Sequence, residues 1–176
     1  RNDHDSVILA LGGGSWEETP PEWPRLLREY GVEVLPFSSS NVGYEIEFPD
    51  ALIQEAEGKP IKNCVLTTSL GSKQGELILT RYGLEGTPMY FVGAPGQASL
   101  NLKPELSPEE WQRTLSRPLK ENLSPIRRLK KLGGLSPAAQ ALVFHLAPPP
   151  IKQDLAPLAR WVQTLPLELK APRPLA

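Results

Sequence analysis

Near the start of the chain, Gly12-Gly13-Gly14-Ser15 follow the apolar run SVILAL (6–11). Glycines at the end of a buried strand let backbone approach a ligand closely, and free amides there suit a phosphate. The stretch has neither the GxGxxG spacing nor a Walker lysine, so taken alone it also reads as a flexible turn out of a strand. Cys64 is the single cysteine, which excludes an internal disulfide framework and a multi-cysteine metal site. It sits in a strand-like run and is expected to be a small buried hydrophobe. His4 and His145 are the two histidines, too few to argue a Ser-His-Asp set. His4 lies in a polar terminus, and His145 is expected near a helix end. Asp3, His4 and Asp5 are adjacent, so in an extended segment their side chains point to opposite faces, and no metal site is expected. Arg127, Arg128, Lys130 and Lys131 form a basic cluster around Leu129. It reads either as a solvated helix face or as a surface for an anionic partner such as RNA.

These groups need elements to hold them. The 176 residues make room for one ordinary domain or two small ones, with a core that needs no staples. A net charge of −1 gives no global pull toward nucleic acid or an anionic membrane. The apolar stretches are too short to span a bilayer as a helix, and no signal-peptide pattern opens the chain. A lone thiol fits a reducing cytoplasm. Arg1 in place of Met, with a strand-like run at once, suggests a piece of something longer.

SVILAL suits a strand covered on both faces, as in a parallel sheet. Thr19-Pro20-Pro21-Glu22 fits a capping box, and the helix EWPRLLREY is expected to end at Gly31. VEVLPF (32–37) and GYEIEF (43–48) alternate apolar and polar residues; IKNCVLTTSL (61–70), GELILTRY (75–82) and ASLNL (98–102) follow. Strands so spaced predict an antiparallel barrel or sandwich. DALIQEAE (50–57) has room for one or two helical turns. Beyond residue 106, Ser107-Pro108-Glu109-Glu110, Ser124-Pro125, Ser136-Pro137 and Asp154 mark four helix starts. LPLEL (165–169) reads as a strand again. Trp16, Trp23, Trp111 and Trp161 are expected in core or interface packing.

Several segments together carry a resemblance. VILALGGGSW (7–16) is similar to the second flavin-contacting strand of flavoproteins with two dinucleotide folds, in particular the HI0933-like (aminoacetone-oxidase-like) family. YGVEVLPFSSSNVGYEIEF (30–48) resembles that family's G-V-x-V-x-P-x-x-P-S-N-x-G segment. GELILTRYGLEGTPMY (75–90) resembles its G-E-x-x-x-T-x-x-G-L-x-G segment. LNLKPELSPEEW (100–111) and LSPAAQALV (135–143) resemble its helical part, in the family's order.

The resemblance implies an α+β chain: an antiparallel β-barrel-like domain plus a small helical bundle, inserted in a FAD-binding α/β domain of which only edge strands are present. The expected divisions are 1–31 (remnant of the FAD domain), 32–105 (barrel-like insert), 106–164 (helical subdomain) and 165–176 (strand returning to the FAD domain). FAD is implied as the cofactor of the intact parent, with Gly12, Gly13, Gly14 and Ser15 at it. A fragment without the rest of the FAD domain is not expected to hold FAD or to be active alone. Asn41, Tyr44, Tyr82, Gly83 and Gly86 are the substrate-side candidates, in a region that covers the flavin and shapes the pocket. The partners implied are the remainder of the FAD domain and a small-molecule substrate, with membrane and nucleic acid disfavoured. The alternative is a non-catalytic module that binds RNA or protein through the basic helices.

Overall fold

The structure, a computed structural model, describes residues 8–13, 21–37 and 40–174. Residues 1–39 with 174–176 cluster as one compact unit and 40–173 as another.

In the first unit, helix α1 (Trp23–Glu29) has Pro24 in its first turn, where a missing N–H costs nothing. It ends as expected at Gly31, with φ +78°. Val32 N donates to Leu27 O (3.0 Å) and Gly31 N to Arg28 O (2.9 Å), the bond pair of a Schellman stop. Thr19, the expected cap, lies outside the described residues. Among the described residues, two expected strands are not formed. Residues 8–11 and 32–37 are irregular, and Ile8, Leu9, Leu11, Leu35 and Phe37 are exposed. A strand needs a neighbouring strand to bond to, and among the described residues neither segment has one.

The second unit is α+β. Its strands are β1 (Tyr44–Glu45), β2 (Pro60–Thr68), β3 (Gly71–Thr80), β4 (Gly83–Glu85), β5 (Gly96–Asn101) and β6 (Leu165–Leu169). They form a six-stranded sheet in the order β1-β4-β3-β2-β5-β6, and every neighbouring pair is antiparallel. The sheet is a half-barrel whose inner face is apolar. Leu66 on β2 stands opposite Leu100 on β5, which stands opposite Leu165 on β6, and all three are buried. Cross-strand pairs share a face, so these leucines form one layer, each contributing about 1.5–3 kcal/mol by burial. Ile61 pairs with Leu77, and Leu79 with Leu84, in the same way.

Strand β2 contains an irregularity that the core requires. Ile61 and Cys64 are both buried although three residues apart, which strict alternation forbids. The register shifts between them, and Asn63 takes a left-handed φ of 49°, a conformation asparagine tolerates. Its side chain is held on both sides: Nδ2 donates to Glu105 (3.1 Å) and Oδ1 accepts from Gln74 (2.7 Å).

Strand β6 was expected to lack partners within the chain. Instead it pairs along its length with β5, and residues 170–173 run on to meet β1. Glu45 N donates to Ala171 O (2.9 Å), Lys170 N to Glu45 O (2.9 Å) and Arg173 N to Gly43 O (2.9 Å). Lys170 and Ala171 both stand opposite Glu45, the two-against-one count of a β-bulge. These bonds stitch the two edges of the sheet together along a seam.

The helices of this unit are α2 (Asp50–Ala56), α3 (Thr87–Val92), α4 (Pro108–Leu115), α5 (Pro125–Leu132), α6 (Pro137–Leu146), α7 (Pro149–Gln153) and α8 (Leu155–Gln163). Local chemistry sets the starts. Ser107 and Glu110 close a reciprocal capping box, Ser136 accepts from Ala139 N, and Asp154 accepts from Ala156 N. Four helices were expected after residue 106, and five form: α7 grows from the Pro148-Pro149-Pro150 run, whose prolines occupy its first turn. Buried residues of barrel and helices belong to one core. Ser136 Oγ donates to Pro60 O (3.0 Å), Leu102 N to Val162 O (3.0 Å), and Gln163 Nε2 to Lys103 O and Leu106 O (3.0 and 2.9 Å). Trp111 is fully buried, and its Nε1 donates to Ala159 O at 3.1 Å.

Candidate functional site

Three of the candidate residues, Tyr44, Tyr82 and Gly83, meet at the seam. Gly83, on β4, is buried opposite Glu45, with φ +153°. A Cβ there would fall far inside van der Waals distance of Tyr44 O and 2.7 Å from Ile46 N. Only glycine lets the two backbones cross this closely. Tyr82 O accepts from Ile46 N (2.8 Å). The Tyr82 ring lies 4.5 Å from the Arg173 guanidinium, which also pairs with Glu45 at 2.9 Å. Gly43 is equally enclosed: its Cβ position is 2.6 Å from Glu85 Cγ and 2.9 Å from Leu84 O.

Gly86 starts helix α3. A Cβ there would run into Glu76 O and stand 3.1 Å from the Leu77 Cα of β3. Its carbonyl accepts from Met89 N (2.9 Å) and Tyr90 N (3.2 Å). The spaces beside Gly83 and Gly86 are thus filled by the protein's own backbone, and their part in any site is to set strand and helix positions.

The far end of α3 is clamped by two hydroxyls. Tyr44 OH donates to Gly93 O (2.9 Å), and Thr68 Oγ1 donates to Val92 O (2.5 Å). These bonds satisfy carbonyls that a helix end leaves without partners. Next to them lies an apolar surface: Phe91 is 68% exposed, Leu70 68% and Tyr90 36%. Lys73 Nζ sits 4.5 Å from the Phe91 ring centroid. Sequence reasoning missed Tyr90 and Phe91 because α3 itself was not expected; the signal available was Gly86-Thr87-Pro88, a glycine and a first-turn proline ahead of an aromatic run.

The other candidates fall elsewhere. Asn41 is exposed in the loop before Gly43. Gly12, with φ +76°, and Gly13 are exposed, and a Cβ at either meets nothing within 4 Å, so their backbone is open to a ligand. Gly14 and Ser15 lie outside the described residues. Cys64 is buried; its thiol donates to Gly75 O (3.4 Å), and burial pushes it up to about 12, so it is protonated and unreactive at neutral pH. His145, in the last turn of α6, meets Glu55 of α2 through Nε2 at 2.8 Å. On α5, Arg128 Nη1 donates to Leu115 O and Arg117 O, both at 3.0 Å, and Lys131 pairs with Glu121 at 3.4 Å.

Comparison with known proteins gives one family. The family model described as the HI0933-like protein barrel and H2TH domain matches residues 38–176. No curated protein matches the chain. The matched span takes in the whole half-barrel, its seam and all the helices from α2 to α8. By that match, and by the half-barrel and helices that fill the span, the chain belongs to the HI0933-like family.

Proposed function

We propose that this chain is the substrate-side region of a FAD-dependent oxidoreductase. In this reading the half-barrel covers the flavin and shapes the pocket where substrate meets it. The observation that supports it most is the exposure of three apolar side chains, Tyr90 and Phe91 on α3, whose end Tyr44 and Thr68 hold, and Leu70 in the turn between β2 and β3. A cover over a redox centre must be apolar to exclude water and fixed in place to keep its shape. Membership in the HI0933-like family directs the reading to a flavin.

The open backbone at Gly12 and Gly13 fits a cofactor phosphate, and their amides would hold it. FAD, when bound, supplies the electron-transfer chemistry, and the protein supplies position and electrostatics. Asn41 and Tyr82 offer polar groups for substrate. Tyr44, whose hydroxyl is engaged by Gly93, acts as a brace for the apolar cover. The remainder of the FAD domain and a small-molecule substrate complete the site.

The test uses the full-length protein that carries this sequence. Its purified form is expected to show flavin absorbance, with a flavin whose fluorescence resists iodide quenching. Replacing Leu70 and Phe91 together by serine should leave the flavin bound and raise its quenching several-fold. A full-length protein free of flavin would overturn the reading, as would quenching unchanged by the double substitution. Salt-sensitive binding of short RNA without any flavin would favour a binding module instead.

A further inference from the structure

A cleft lies between α2, α5 and α6. Its volume is about 350 Å³, within the range of small-molecule sites. The lining is apolar in the middle, with Ile126, Leu129 and Phe144, and charged at the sides, with Arg127, Lys130 and Glu55. Phe144 is 53% exposed, which is high for a large aromatic side chain unless something covers it.

The basic cluster of α5 divides in two around this cleft. Arg128 and Lys131 do not line it, and both are engaged, Arg128 by two carbonyls and Lys131 by Glu121. Arg127 and Lys130 do line it, and among the described residues neither side chain has a hydrogen bond or ion pair. The spacing explains the division: Arg127 and Lys130 are three apart and share a side of the helix, as do Arg128 and Lys131. Glu55, the acid at the opposite side, is held by His145 at 2.8 Å. Two uncompensated cations therefore flank an apolar floor.

We propose that this cleft binds a small amphipathic anion, a carboxylate carried on an apolar chain or ring. The carboxylate lies between Arg127 and Lys130, which supply charge-assisted hydrogen bonds. The apolar part covers Ile126, Leu129 and Phe144, whose removal from water provides the remaining affinity. Nothing in this proposal depends on the flavin reading, because the cleft is built from helices alone.

Octanoate and 4-phenylbutyrate, titrated into the 176-residue chain by calorimetry, test it, with octanol and octylamine as neutral and cationic controls. Saturable binding of either carboxylate is expected, with Kd below about 1 mM, and with amide shifts on α5 and α6 in NMR spectra. Octanol and octylamine should bind at least tenfold more weakly. The double variant Arg127→Glu/Lys130→Glu should lose at least tenfold in carboxylate affinity while keeping the circular dichroism and melting temperature of the parent, since neither side chain holds the fold. A Phe144→Ser variant should weaken binding without changing its charge preference. Absence of saturable binding, equal binding of octanol, or unchanged affinity in the double variant would each overturn the assignment.

Discussion

Substituting Gly83 by alanine separates a packing role from a ligand role for the glycines of the GLEG segment. The added methyl would sit 2.7 Å from Ile46 N, about 0.7 Å short of the 3.4 Å at which ordinary contact begins. It would crowd Tyr44 O still more. Relief requires β1 to move away from β4. That movement strains the bond from Ile46 N to Tyr82 O on one side of β1 and the bond from Glu45 N to Ala171 O on the other. Overpacking of this kind costs about 1–3 kcal/mol, and a positive φ on a residue with a Cβ costs about 1–2 more. Each weakened backbone bond adds up to about 1 kcal/mol. The expected loss is therefore about 2–7 kcal/mol, a fall in melting temperature on the order of 10 °C for a chain this long. Urea denaturation followed by circular dichroism measures it, with the midpoint falling at constant slope. Gly58→Ala is the control. Gly58 also has a positive φ, +74°, but a Cβ there meets open space. Only the backbone cost applies, about 1–2 kcal/mol. Equal midpoints for the two variants would refute the argument that Gly83 is fixed by the strand crossing.

Other substitutions probe the supports around the site. Trp111→Phe should cost about 1–3 kcal/mol by denaturation, because the Ala159 carbonyl is left buried without its donor. Ser107→Ala should lower stability by about 1 kcal/mol through loss of the cap on α4. Glu110 is held below its usual range by the Ser107 backbone N–H and then by the Ser107 hydroxyl, so its contribution is present above the unfolded carboxylate pKa and disappears as pH falls through the lowered folded value. An acid titration of stability should therefore lose one step in Glu110→Gln, and identical acid profiles would count against this. Cys64 should react with a thiol reagent at pH 8 only as fast as the chain unfolds, and rapid labelling of native protein would contradict its burial.

How far the sequence disclosed this arrangement depends on how local each cause is. Helices α4, α6 and α8 were legible at their starts, because Ser107, Ser136 and Asp154 act on amides two or three residues away. Strand β6 was legible from the alternation of Leu165, Leu167 and Leu169. Residues 32–37 alternate just as well and form no strand, because a strand also needs a partner and the partner is not written nearby. Strand β4 has three residues and exists only through its pairs on both sides. The seam was invisible for the same reason: residues 43–45 and 170–173 find each other only in the folded sheet. In the candidate site, the glycines and tyrosines were picked out by resemblance, while the enclosure of Gly83 and Gly86 by backbone emerges only when strand order is known. The unpaired state of Arg127 and Lys130 was equally hidden, since composition alone shows four like charges and not which two are engaged.

The seam has a kinetic consequence. Arg173 and Glu45, which it brings together, are 128 positions apart in sequence. Most of the unit must already be compact before that distance is short, because loop-closure entropy is spent before the contact repays it. The hairpin of β2 and β3, joined by a turn between Thr68 and Gly71, can form early, and closure of the seam comes late. During that interval β1 and β6 present unpaired edges to solvent and to other chains. The amide of Glu45 should accordingly exchange with solvent faster than those at the centre of β2. At high protein concentration, refolding yield should be limited by this last closure and improve on dilution.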